Sequence, residues 1–132
     1  MLVIDRFSRK AIYEQIIERI EREILTELLP EGEQLPSLRE LSSSLSINPN
    51  TIQKAYMELD RRGVIASAPG RGYFVSPGAS EIIRSNLSKK LDDIESTAYE
   101  LAIAAIPKAQ VMKAVDSAYI RAAAKGTKGG VE

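Results

Sequence analysis

With 132 residues, 44% of them apolar, the chain can fold one modest domain and an appendage. It has neither cysteine nor histidine, which excludes disulfides, thiolate metal sites and the commonest general base. Eighteen basic side chains balance eighteen acidic ones, a neutrality that speaks mildly against nucleic acid until the distribution is read.

The opening residues "MLVIDRFSRK" lack the apolar run of a signal peptide, and no apolar stretch approaches ~20 residues. No membrane partner is expected, and a cytoplasmic location is the default. The spacing of Ile12, Ile16, Ile17, Ile20, Ile24 and Leu28 predicts a helix over 10–28, rich in glutamate between the apolar positions. "LLPEGEQLP" breaks it with two prolines and a glycine.

"SLRELSSSLSI" follows. Ser37 and Glu40 have capping-box spacing, and Leu38, Leu41 and Leu45 make an apolar stripe, so a two-turn helix is predicted. In "SINPNTIQKAYMELDRRG", Asn48 suits an N-cap, Pro49 the first helical position, and Gly63 the left-handed position beyond the end. Ile52, Ala55, Tyr56 and Leu59 form one face of this helix. Asn50, Thr51, Gln53 and Lys54 form the other. Tyr56 reads as core, with a phosphate hydrogen bond from its hydroxyl as the minority alternative.

The period then changes to two. "VIASA" and "YFVSP" flank "PGRG", the signature of a β-hairpin. "SPGAS", 76–80, is taken as a domain boundary. Beyond it, Leu87, Leu91, Ile94, Ala98, Leu101 and Ala105 step by four and three, predicting a single heptad-patterned helix over 81–105 that Pro107 ends. A second helix carries Val111, Val115, Ala118, Tyr119 and Ala122. The glycine-rich residues 126–132 are expected to be disordered.

Helix, helix, tight turn, helix and hairpin make a mainly α winged helix-turn-helix over 1–77, followed by a two-helix dimerisation region over 78–125. In such a fold the second helix of the pair enters the major groove by its N-terminal turn. Asn and Gln suit adenine edges. Thr51 and uncapped amides at the same tip suit phosphates. Arg71 in the hairpin tip suits a phosphate or a minor groove. From Gln34 to Gly78 the basic residues Arg39, Lys54, Arg61, Arg62 and Arg71 outnumber Glu40, Glu58 and Asp60, so a modest basic face is available.

These motifs resemble the DNA-binding domain of the GntR family of bacterial transcription regulators, over Ala11–Val75. The residues that carry the resemblance are "IYEQI", "LPSLREL", "INPNTIQKAYMELDRRGVI" and "GRGYFV". The resemblance implies DNA contacts from Ser37, Arg39, Asn48, Asn50, Thr51, Gln53, Lys54, Gly70, Arg71 and Gly72. Pro49 stands where some branches carry an arginine, so their operator preference does not transfer. Glu27 stands where relatives often have the glycine that ends the first helix.

Only about 55 residues follow the hairpin, which resembles the YtrA branch with its short two-helix dimerisation tail. The resemblance implies a homodimeric repressor on an inverted-repeat operator, with transport genes as the family-level target. Double-stranded DNA and a second copy of the chain are the expected partners. No cofactor or metal is expected, and a small-molecule effector is left open. The alternative is a winged-helix adaptor that joins proteins without binding DNA. An enzyme is not expected, since no nucleophile–base pair, metal cluster or phosphate loop is present.

Overall fold

A computed structural model describes residues 4–125. The chain divides into two compact units, the first running to Ile83 and the second starting at Arg84.

In the first unit, α1 spans Ile12–Leu25. Ile16, Ile17, Ile20 and Ile24 are buried, as their spacing predicts. The helix is shorter than 10–28 for local reasons. Ala11 is its N-cap, with the Ala11 N–H donated to the Glu14 carboxylate at 3.1 Å. At the other end Glu27 turns left-handed, φ +65°, and its N–H bonds the Ile24 carbonyl at 3.1 Å. The residue at the glycine position thus adopts the glycine conformation without being glycine.

Helix α2 spans Leu38–Leu45. The capping box is formed. Ser37 Oγ accepts the Glu40 N–H at 3.0 Å, and the Glu40 carboxylate accepts the Ser37 N–H at 2.8 Å. Those bonds from Ser37, backbone first, hold the Glu40 carboxyl below its ordinary pKa. The helix closes on Ser46 at φ +54°, with the Ile47 N–H reaching the Ser42 carbonyl at 3.1 Å. That double closure by C′ and C″ amides makes the tight turn. Helix α3, Pro49–Arg61, follows at once. It ends the same way at Gly63, φ +83°, with the Val64 N–H on the Leu59 carbonyl at 3.0 Å.

Strands β1, Ile65–Ala68, and β2, Gly72–Val75, pair antiparallel from Ile65↔Val75 to Ala68↔Gly72. The α1–α2 connection runs along the free edge of β2. Gln34 bridges Phe74, and the Leu35 N–H bonds the Tyr73 carbonyl at 2.9 Å. The core gathers Ile16, Ile20, Ile24, Leu35, Ile52, Tyr56, Leu59, Val64, Ile65 and Val75. Each fully buried aliphatic side chain contributes about 1.5–3 kcal/mol of hydrophobic stabilisation.

Helix α4, Ala79–Ser88, begins inside this core. Ala79 and Ile83 are buried and Ser80 Oγ reaches the Ile24 carbonyl at 3.5 Å. Glu31 accepts the Gly78 N–H. The first unit therefore extends past the boundary expected at 76–80.

The second unit departs from expectation at one place. The predicted single helix over 81–105 is two helices, α4 and α5, the latter spanning Leu91–Ile103. Charge explains the break. Lys89 and Lys90 sit where α4 ends, and Asp92 and Asp93 fill the first turn of α5. Cations complement a helix C-terminus and anions an N-terminus, so this sequence stabilises two ends rather than one continuous rod. Ser88 Oγ also bonds the Ser85 carbonyl at 2.8 Å, drawing the last turn of α4 closed. Helix α5 ends on Ala105 at φ +64°, with the Ile106 N–H on the Leu101 carbonyl at 3.0 Å. Helix α6 spans Lys108–Ala124. The tail 126–132, expected to be disordered, lies outside the described residues.

Candidate nucleic-acid interface

Helix α3 has two unlike faces. Ile52, Ala55, Tyr56 and Leu59 are completely buried, while Asn50, Gln53, Lys54, Met57 and Arg61 are exposed. Tyr56 is the strut of this arrangement. Its hydroxyl donates to the Pro36 carbonyl at 2.8 Å, and its ring meets Tyr73 edge-on at 5.2 Å. Burial, then Glu40 and Tyr73, push its pKa up, so the phenol stays protonated and donating. The core reading of Tyr56 therefore stands, and the phosphate alternative is withdrawn.

The tip of α3 corrects another expectation. Asn48 Oδ1 accepts the Asn50 N–H at 2.8 Å, and the Asn48 carbonyl accepts the Thr51 N–H at 2.9 Å. Pro49 has no N–H to offer. The amides at this tip are thus satisfied internally rather than left for phosphates. What projects is side chain: the carboxamides of Asn48, Asn50 and Gln53, with Thr51 half-buried behind them. Bare amides lie instead at the start of α2. The Leu38 and Arg39 N–H groups have no hydrogen-bond partner among the described residues. Ser37 Oγ is an acceptor in the capping box, so its proton stays available to donate. Ser37 and Arg39 thus stand together with unpaired donors at the start of α2.

The hairpin tip is braced. The Arg71 N–H closes onto the Ala68 carbonyl at 2.8 Å across Pro69 and Gly70. Gly70 has φ +74°, the conformation that a proline-led type II turn requires of its third residue. Gln34 Nε2 donates to the Arg71 carbonyl at 2.6 Å, and a Cβ on Gly72 would approach that nitrogen to 3.0 Å. Gly72 therefore gives the brace its space. The Arg71 guanidinium lies 5.7 Å from the Phe74 ring centroid, held along the hairpin.

The basic face is smaller than the residue count suggests. Arg61 and Arg62 both bind the Glu58 carboxylate, at 2.6 and 2.9 Å, and Arg62 also reaches Glu21 at 3.2 Å. Hydrogen bonds from Arg61 and then Arg62 hold Glu58 down to about 2. Since Glu21 is buried on α1, Arg62 clasps the end of α3 to α1, and Glu58 offsets the charge of both guanidiniums. The Lys54 ammonium leans over the Tyr13 ring at 4.0 Å, again toward α1. From Gln34 to Gly78, Arg39, Lys54 and Arg71 are the cations with no carboxylate partner among the described residues.

Sequence reasoning missed Gln34, Tyr13 and Met57. Met57 is 59% exposed and continues the stripe of Asn50 and Gln53, so following that polar face one turn further would have found it. Gln34 and Tyr13 act across long sequence separations that leave no periodic trace.

The predicted dimerisation residues fall as follows. Leu87 on α4 and Leu91 and Ile94 on α5 are exposed, Ala98 and Leu101 are half-buried, and Ala105 lies past the end of α5. Tyr99, Ile103, Met112, Tyr119 and Ile120 are further exposed apolar side chains in this unit. Among the described residues there is no cluster of metal-ligand side chains and no helix long and apolar enough to cross a membrane. In the first unit, a cavity of about 300 Å³ opens between α1 and α2, walled by Ile20, Leu29, Leu35, Leu41 and Tyr56.

The family model for bacterial regulatory proteins of the gntR family matches residues 12–75. The HTH-type transcriptional repressor YtrA of Bacillus subtilis is 44% identical over 79 residues, 60% of this chain and 61% of that protein. The chain spans about three fifths of the length of this relative and of a second Bacillus subtilis regulator, YhcF. Among solved structures, a GntR family transcriptional regulator from Listeria monocytogenes superposes with a TM-score of 0.66 at 32% identity, over 83% of this chain and 96% of that one. The DNA-binding domain of AraR in complex with operator ORX1 superposes with a TM-score of 0.51 at 27% identity, over 57% of this chain and 93% of that one. Helix-turn-helix, braced hairpin and matched residues agree: the chain belongs to the GntR family of bacterial regulatory proteins.

Proposed function

We propose that the chain is a sequence-specific, homodimeric transcriptional repressor that binds an inverted-repeat operator. One observation carries the reading: the amide-bearing side of α3 is bare, while the opposite side is completely buried. Asn48, Asn50 and Gln53 would read base edges, with Thr51 beside them. Ser37, Arg39 and the two bare amides of α2 would grip the phosphate ridge, and Lys54 would add charge nearby. Gly70, Arg71 and Gly72 would bring the hairpin tip to the neighbouring backbone or minor groove. The operator complex of the AraR domain supports this use of the fold.

The exposed Leu87, Leu91 and Ile94 support pairing through the second unit, with Ala98 and Leu101 at the margin of the contact. A twofold dimer would set two recognition helices on two half-sites. Repression is favoured by the likeness to the repressor YtrA of Bacillus subtilis, and transport genes are the family-level target. The cavity against Tyr56 supports a small apolar effector near the helix-turn-helix, at the lower end of ligand-site volumes of ~300–1,000 Å³.

Fluorescence anisotropy with the chain's own upstream DNA, at low and moderate salt, tests the proposal. Wild type should prefer that DNA to a random duplex and weaken steeply with salt. Arg39→Ala should weaken binding at least 10-fold and lower the salt slope. Thr51→Ala should weaken the preference, a good base contact being worth ~1–3 kcal/mol. Equal binding of upstream and random DNA at every salt concentration overturns the reading.

A further inference from the structure

The segment before α1 is ordered by a network that neither the core nor the helix-turn-helix requires. Gln15 is its hub. Its side-chain oxygen accepts the Asp5 N–H at 2.8 Å, and its nitrogen donates to the Asp5 and Lys10 carbonyls at 2.8 and 3.0 Å. The Phe7 N–H bonds Asp5 Oδ1 at 2.9 Å, and the Lys10 N–H bonds Ser8 Oγ at 3.1 Å. Arg6 then reaches across the fold and donates to the Leu45 and Ser46 carbonyls at 3.1 and 3.2 Å. Those carbonyls end α2, where a cation is favoured. They also form the tight turn, two residues before the Asn48 cap of α3.

This ordered arm displays what a folded surface normally hides. Phe7 is 98% exposed, although its backbone is pinned on both sides. Arg9 is exposed and has no ion pair among the described residues, whereas Lys10 is paired with Glu18 at 2.5 Å. An aromatic ring and a free guanidinium are therefore carried on a segment that Arg6 ties to the turn before α3.

We propose that the arm Asp5–Lys10 is a second DNA-binding element, in which Arg9 contacts a phosphate flanking the half-site and Phe7 packs on the adjacent sugar or base edge. The inference rests on the DNA-binding reading above. When an α3-type tip enters the major groove, the turn preceding it lies at the groove's wall, and that wall is phosphate. Arg6 ties the arm to that turn. The charge is of the right sign, for the six residues carry Arg6, Arg9 and Lys10 against Asp5 alone. Because the arm is already ordered, it engages without the usual entropic penalty of immobilising a flexible tail.

The chain contains no tryptophan, so Phe7→Trp installs a single reporter at an exposed site. Titrated with a duplex that wild type binds by anisotropy, its emission should shift or quench with the same midpoint as binding. Arg9→Gln should weaken affinity roughly 5-fold and flatten the salt dependence by about one phosphate contact, leaving the choice of sequence unchanged. Unchanged tryptophan emission while anisotropy reports full binding overturns the arm proposal and leaves the function reading intact. Emission that follows protein concentration without DNA overturns it in favour of a subunit contact. Failure of wild type to bind any duplex overturns both.

Discussion

The two units handle their apolar residues in opposite ways. In the first, Ile16, Ile52, Tyr56, Leu59 and Ile83 are completely buried. In the second, neither α5 nor α6 contains a single buried residue, and Ile103 and Ile120 are 72% and 70% exposed. The first unit closes α1, α2, α3, the hairpin, the α1–α2 connection and the start of α4 around one core. Among the described residues the second has two helices and the end of a third, and these do not enclose an interior. Stability in the first unit is therefore a property of one chain, whereas the apolar surface of the second becomes useful only when something covers it.

The sharpest break between the two comes from charging that surface. Leu91→Asp with Ile94→Asp places carboxylates where the proposed partner would sit. An unpaired charge buried at an interface costs about 3–5 kcal/mol, and a symmetric dimer buries every such charge twice. Sedimentation equilibrium should show a dissociation constant raised by roughly four orders of magnitude or more. Thermal melting of the first unit should be nearly unchanged, since none of its core residues is touched. A dimer that persists in this variant moves the contact elsewhere. The comparison would then need a different covered face, with Tyr119 and Ile120 the next to charge.

The contrast also marks where sequence was readable. In the first unit, apolar period, caps and turns agreed with one another. The Ser37–Glu40 box, the Asn48–Pro49 entry and the Gly63 exit all lie within a few residues of the helices they bound, and all are formed. The division of α3 into a buried apolar face and an exposed polar one followed from the same periodicity. What escaped was either long-range or a competition between local signals. Arg6 to Leu45, Gln34 to Arg71 and Arg62 to Glu21 span 39, 37 and 41 residues, and no local pattern encodes them. At Lys89–Asp93 the heptad spacing argued for continuity and the charges argued for a break. The charges prevailed because α5 and α6 bury nothing that would reward a straight seam. The Glu58 pairs, at i+3 and i+4, were legible and would have lowered the expected basic face.

A smaller effect sharpens the first unit's self-sufficiency. Glu58 has an ordinary pKa of 4.5 and is held to about 2 in the fold, where Arg61 and Arg62 bond its charged form. A depressed carboxylate stabilises the fold above its unfolded pKa and loses that contribution as pH falls toward the folded value. Glu58→Gln should therefore cost about 1 kcal/mol at pH 7, the scale of a partly exposed ion-pair network. The gap from wild type should close between pH 4.5 and about 2. Denaturant melts across that range measure it. A gap that stays constant down to pH 2 would mean that packing of the Arg62 stem, and not charge, joins α3 to α1.

The smallest effect puts the same question to both units with the same chemistry. Glu27 in the first and Ala105 in the second each hold a left-handed backbone, φ +65° and +64°, at a helix end. A non-glycine residue there costs about 1 kcal/mol, which glycine removes, offset in part by the extra freedom glycine has when unfolded. Glu27→Gly should raise stability by roughly 0.5 kcal/mol in denaturant melts of the whole chain, because the α1 end it relieves belongs to a cooperative core. Ala105→Gly relieves the same backbone, but the turn it sits in joins two helices that bury nothing by themselves. Its gain should appear in hydrogen exchange of α5 and α6 at protein concentrations where the chain pairs, and fade on dilution. If Ala105→Gly protects those amides equally at all concentrations, the second unit folds without its partner, and the division between a self-contained unit and a dependent one is wrong.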